Sequence, residues 1–225
     1  MQLNTATYGG DSLAVERNKV LRNTYALLAL TMLPTAAGAL LGIAMHFRVS
    51  MGLGMLLFIG ISFAAFYAIE KTKESATGVV LLLAYTGFMG LWLSQILQVA
   101  LRFSNGGQMI GMAAVGTAAI FLSLSAVATV TKKDFSFMGK FLFVGLVLLV
   151  LASLANLFFQ IPAASLAISA VALLVFSGYI LYDTSRIVNG GETNYISATL
   201  QLYLDVYNIF VHLLNILMML TGRRD

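Results

Sequence analysis

The chain has 225 residues, 60% of them hydrophobic and 10% charged, and a mean hydropathy of +0.91. A soluble domain carries about 25% charged residues, so this chain lacks the polar surface to face water all round. With no cysteine it also has no disulfide scaffold and no thiolate metal site. The net charge of +4 does not point to nucleic acid, because the basic residues sit in short connections between apolar stretches, where membrane proteins place them.

About 20 mainly apolar residues are needed for a helix to cross a bilayer. In chain order that length predicts spans over 24–45, 51–69, 76–101, 108–130, 141–159, 163–182 and 196–220. Residues 1–23 form an N-terminal tail, polar and unstructured over 1–19. Residues 24–220 form the membrane domain, and 221–225 a short C-terminal tail. The first ~20 residues lack the charged-apolar-small order of a cleavable signal peptide, so the first span serves as its own insertion signal. Pro34 predicts a kink in that span. Gly38 and Gly42, Gly52 and Gly60, Gly87 and Gly90, and Gly111 and Gly116 permit close helix approach in lipid. No internal repeat is evident, which speaks against the inverted-repeat transporter folds. The expected fold class is all-α, a polytopic seven-transmembrane-helix bundle.

Counting Lys and Arg orients the bundle. Nine lie on the side of the N-terminal tail, among them Arg17, Lys71, Lys132 and Arg186; four lie on the other, Arg48, Arg102, Arg223 and Arg224. The positive-inside rule then puts the N-terminus in the cytoplasm. Seven spans put Arg223 and Arg224 outside, whereas a re-entrant last segment would return them.

Seven of the nine acidic residues fall in tails or connections, while Asp183 and Asp205 fall within or against apolar helices. Intramembrane carboxylates are costly and mark functional sites. Both are equidistant from residue 194, in the polar stretch 189–194 that turns the sixth helix into the seventh. Antiparallel helices joined there bring the two carboxyls to similar depth. Within hydrogen-bond reach in low dielectric they share a proton, and losing it sets the helices repelling one another. That arrangement is a pH-sensitive latch or a cation site. The plainer reading pairs Asp183 with Arg186 one turn on and hydrogen-bonds Asp205 to neighbouring helices.

The seventh helix carries Gln201, Asp205, Asn208, His212 and Asn215 at spacings of 4, 3, 4 and 3, which lays them along one face. A helix with such a stripe avoids lipid and belongs at the centre, surrounded by the other six. The stripe either lines a water-filled path or forms interhelical hydrogen bonds. His212 reads as a packing histidine, and Ser94, Gln95, Gln98 and Asn156 as added polar groups on the outer half. Enzyme readings fail: no Lys lies within the seven predicted spans for a retinal Schiff base, the two histidines form no zinc-protease cluster, and no Gly-x-Ser-x-Gly turn is present. No cofactor is expected, and no metal site beyond a calcium path at Asp183 and Asp205.

The runs Ser177-Gly178-Tyr179-Ile180-Leu181-Tyr182-Asp183-Thr184, Gly190-Gly191-Glu192-Thr193-Asn194-Tyr195-Ile196 and Leu202-Tyr203-Leu204-Asp205-Val206-Tyr207-Asn208-Ile209-Phe210 resemble the C-terminal signature of the Bax inhibitor-1 family, in its bacterial YccA-type branch. Val20-Leu21-Arg22-Asn23-Thr24-Tyr25, Tyr85-Thr86-Gly87-Phe88-Met89-Gly90 and Thr131-Lys132-Lys133-Asp134-Phe135-Ser136-Phe137 agree with it. The resemblance implies seven helices with the last one central, in a bacterial inner membrane. It also implies a partner, the membrane-anchored ATP-dependent protease FtsH, which such proteins modulate as poorly digested substrates. A further implication is a pH-sensitive calcium leak gated by two aspartates, whose positions Asp183 and Asp205 match. A tail over 1–19 would offer FtsH something to grip, and a tightly packed bundle behind it would be slow to extract.

Overall fold

A computed structural model describes residues 5–222. The chain folds as seven long helices: α1 Thr5–Ala44, α2 Met51–Thr72, α3 Ala76–Ala100, α4 Gly106–Thr131, α5 Gly139–Phe159, α6 Pro162–Asn189 and α7 Tyr195–Thr221, with a single 3₁₀ turn, Ser136–Met138, before α5. All seven are long and apolar enough to cross a membrane. Local chemistry sets the boundaries. Pro162 opens α6 where its missing N–H costs nothing. Gly190 ends α6 at a φ of 82° that a side chain would strain. Asn194 caps α7, its side chain accepting from the Ile196 and Ser197 N–H groups at 2.9 and 3.1 Å.

One expectation about α1 changes. The residues foreseen as an unstructured tail are helical from Thr5 on, because Leu13, Ala14, Glu16, Lys19 and Leu21 favour helix and simply extend the span behind them. Residues 1–4, Arg223 and Arg224 lie outside the described residues. Pro34 sits inside α1 without interrupting it. At the other end α7 runs unbroken for 27 residues, about 40 Å, long enough to cross a bilayer in one pass. Its last turn meets the α3–α4 connection, where the Asn105 side-chain amide donates to the Thr221 carbonyl at 2.8 Å.

The tightest packing is between α1 and α3. A Cβ on Gly38 would lie 2.1 Å from the Gly87 carbonyl oxygen, and one on Gly90 2.0 Å from that of Thr35. Gly52, Gly60 and Gly111, grouped with them from sequence, have nothing within 4 Å of such a Cβ. Helix α7 packs against α1, α2, α3, α4 and α6 but not α5. It is therefore central among five helices rather than six. α5 leans only on α6 and the 3₁₀ turn, and its outer face, including Phe141, Phe143 and Phe158, is exposed as a lipid-facing surface is.

Candidate functional site

Because α5 stands off from α7, a cleft of about 540 Å³ opens between α5, α6 and α7. Asp183 and Tyr179 reach it from α6, and Gln201, Asp205, Asn208 and His212 from α7, against an α5 wall of Leu146, Leu149, Val150 and Ser153. Four of the five residues of the periodic stripe thus face one cavity, and Asn215 lies outside it. Asp183 is 6% exposed and Asp205 5%, and their carboxyls lie within hydrogen-bonding reach of one another. A hydrogen bond between two carboxyls requires a proton on one of them, and two ionised groups so placed repel. Apart from Asp183, no hydrogen-bonding group stands beside the buried Asp205 Oδ2.

The plainer pairing coexists with this one. Arg186 Nη1 stands 3.9 Å from Asp183 Oδ1, and Nη2 stands 3.8 Å from Glu192 Oε2. The same guanidinium donates to Gln201 Oε1 at 3.4 Å and to the Gly191 carbonyl at 3.3 Å, and covers the Tyr182 ring. Gln201 in turn donates to Glu192 at 3.5 Å. Arg186 therefore clasps the mouth of the cleft beside the α6–α7 turn. Glu192, one of the seven acidic residues in tails and connections, belongs to this clasp.

The rest of the stripe turns to α6 and to its own helix. Asn215 donates to Ser169 Oγ at 2.8 Å, His212 Nδ1 lies 3.3 Å from the same oxygen, and the imidazole stacks on Phe176. Asn208 donates to the Leu204 carbonyl at 2.8 Å. None of the four outer polar residues, Ser94, Gln95, Gln98 and Asn156, lines the cleft: Ser94 bonds the Leu91 carbonyl, Gln98 the Gly42 and Phe47 carbonyls, and Asn156 the Ser165 hydroxyl. A second polar node escaped the sequence reading. On the far side of α7, the Tyr203 hydroxyl lies 2.9 Å from Thr35 Oγ1 and 3.4 Å from the Thr86 carbonyl, tying α7 to α1 and α3. Among the described residues no three His, Asp or Glu side chains converge, so the cleft offers a cation two carboxylates and no closed cage.

Comparison with known proteins places this architecture. The family described as inhibitor of apoptosis-promoting Bax1 matches residues 17–222. A membrane protein of Vibrio cholerae is 46% identical over 204 residues, 90% of each chain. A protein of Escherichia coli named modulator of FtsH protease YccA is 44% identical over 200 residues, 89% of this chain and 90% of its own. A protein of Neisseria meningitidis is 41% identical over 213 residues, 92% of this chain and 94% of its own. The family match over residues 17–222 and relatives above 40% identity along about nine-tenths of the chain agree, and this membrane protein belongs to the Bax inhibitor-1 family.

Proposed function

We propose that the chain is a non-enzymatic regulator of membrane proteolysis, which binds FtsH and inhibits it by engaging it and resisting extraction. On this reading it sits in a bacterial inner membrane with its N-terminus in the cytoplasm, as the nine-to-four distribution of basic residues suggests. The observation that carries the proposal is the 44% identity, over 90% of its length, to a protein named a modulator of that protease. The fold supplies a physical reason for slow digestion. A protease pulling on the N-terminus must first strip α1 from α3, where backbone meets backbone at Gly38 and Gly90, and then break the Tyr203–Thr35 contact that ties α1 to α7. Co-purification with FtsH, together with slowed degradation of a second membrane substrate in the same vesicles, tests the proposal. Unchanged degradation at saturating amounts of the chain would refute it.

The facing aspartates favour a second reading, a pH-sensitive leak for calcium or other cations gated by Asp183 and Asp205. Calcium held tightly takes six to eight oxygens; two carboxylates with the Asn208 and Gln201 side chains nearby make a weak site, and conduction needs a site an ion can leave. Calcium flux into liposomes across pH, with Asp183→Asn and Asp205→Asn as controls, tests this reading. Flux that both variants leave unchanged would remove the pair from any gate.

A further inference from the structure

A second cavity, about 1120 Å³ and larger than the first, lies on the other side of α7. It is a groove between α1 and α4, which meet across it through the edge-on rings of Tyr25 and Phe121 at 5.8 Å. Its walls include Ala36 and Ala39 from α1 and Ala114 and Ala118 from α4, and its floor Val206 and Phe210 from α7. On α1 the lining runs from Tyr25 to Ile43, about 27 Å of helix, which nearly matches a hydrocarbon core of about 30 Å. The groove thus crosses both leaflets.

Five buried side-chain oxygens among the described residues lack a hydrogen-bond partner in the protein, and three of them, the hydroxyls of Tyr25, Thr117 and Ser125, belong to residues that line this groove. Thr117 is 4% exposed and Ser125 5%. They are eight residues apart on α4, about 12 Å along its axis, and Thr117 stands near the middle of the span. Hydrocarbon tails offer these hydroxyls nothing, and a lipid carries its ester oxygens near the interface, at one depth. A helix offers side-chain oxygens and backbone carbonyls at every depth, and small residues let backbones approach where no hydrophobic drive exists.

We propose that this groove seats a transmembrane helix of a partner protein, one whose docked face carries small residues and hydrogen-bond acceptors at two depths. The inference rests on the protease reading, in which the partner is FtsH and the helix one of its membrane anchors. Ala36→Leu and Ala118→Leu fill the groove, and Val144→Leu, on the exposed face of α5, is the control. With full-length chain and protease together in nanodiscs, the two groove variants are expected to weaken association at least tenfold and the control less than twofold. Because the chain has no cysteine, Ala118→Cys carrying a benzophenone gives a second measurement on a less disruptive substitution. Its expected adduct is with an anchor helix of the protease, and Val144→Cys is expected to give none. Groove variants that bind as the wild type does, or an Ala118→Cys adduct with lipid alone, overturn the groove and leave the protease reading standing. A wild-type chain that does not associate at all overturns both.

Discussion

Placing a methyl group on Gly90 tests whether the α1–α3 seam is what resists extraction. The new Cβ would lie 2.0 Å from the Thr35 carbonyl oxygen and 2.7 and 2.8 Å from Thr35 C and Cα. All three are backbone atoms that no rotamer change can move. Ordinary contact is near 3.5 Å, so α1 must retreat by about 1.5 Å at Thr35. Overpacking of this kind costs about 1–3 kcal/mol. The retreat also stretches the bonds from Thr35 to Tyr203 and Thr86 at 2.9 and 3.1 Å, each worth about 0.6 kcal/mol in a membrane. If the seam breaks before the rate-limiting step of extraction, the overpacking alone, at about 1–3 kcal/mol, speeds unfolding by roughly 5- to 150-fold. Gly60→Ala is the matched control, since nothing lies within 4 Å of its Cβ. Unfolding in mixed micelles and the half-life under FtsH with ATP are the two assays. A Gly90→Ala protein that unfolds and is digested at the rate of Gly60→Ala would refute the role assigned to the seam.

Asn194→Ala is expected to cost about 1 kcal/mol through loss of the α7 cap, and to free the α2–α3 turn, whose Lys73 carbonyl accepts from the same side chain at 3.0 Å. Faster hydrogen exchange at Ile196 and Ser197 checks it. Arg186→Gln removes the clasp on Asp183 and Glu192; the guanidinium is 30% exposed and its ion pairs are long, so stability should fall by no more than about 1 kcal/mol. Any cation flux, however, should change its pH profile, and an identical profile counts against a mouth at Arg186. In the α4–α5 connection, the Ser136 N–H donates to Asp134 Oδ1 at 2.8 Å and holds that carboxyl below its ordinary value. Its contribution is therefore complete above the ordinary Asp value and is lost as pH falls through the lowered one. Exchange protection of the Ser136 amide should follow that course and become pH-independent in Asp134→Asn.

The seven spans were legible because length and hydropathy alone decide them, and the stripe on α7 because its period is that of a helix. The end of α6 was not. The polar residues after Tyr182 read as a turn, yet α6 continues to Asn189, because Ser185 and Asn189 find the Lys133 carbonyl at 3.0 and 3.3 Å. A polar run looks like a loop when its partner lies 50 residues away. Gly38 and Gly60 are likewise indistinguishable in sequence, since only the facing helix makes one a close approach and the other a bare surface. The stand-off of α5 was hidden for a related reason: a helix apolar all round gives no sign of which face meets protein.

Helix α7 is the wall shared by both cavities. Asp205 faces the cleft, and Val206, the next residue, floors the groove; Tyr203, two residues before Asp205 and on the groove side, anchors to α1 and α3. A rigid helix cannot shift at Asp205 and stay fixed at Val206. The charges around Asp205 are those of Asp183, Arg186 and Glu192, with Tyr179 and His212 in the same cleft. If protonation of the pair moves α7, then by linkage a helix seated in the groove changes proton binding by the same factor that protons change its affinity. Association with the protease should then depend on pH in the wild type and lose most of that dependence in Asp205→Asn, with the groove untouched. Equal dependence in both would place the titrating group elsewhere and separate the two cavities. The two proposed readings, protease regulation and cation leak, would then be two readouts of one helix position, with the aspartates bearing on both.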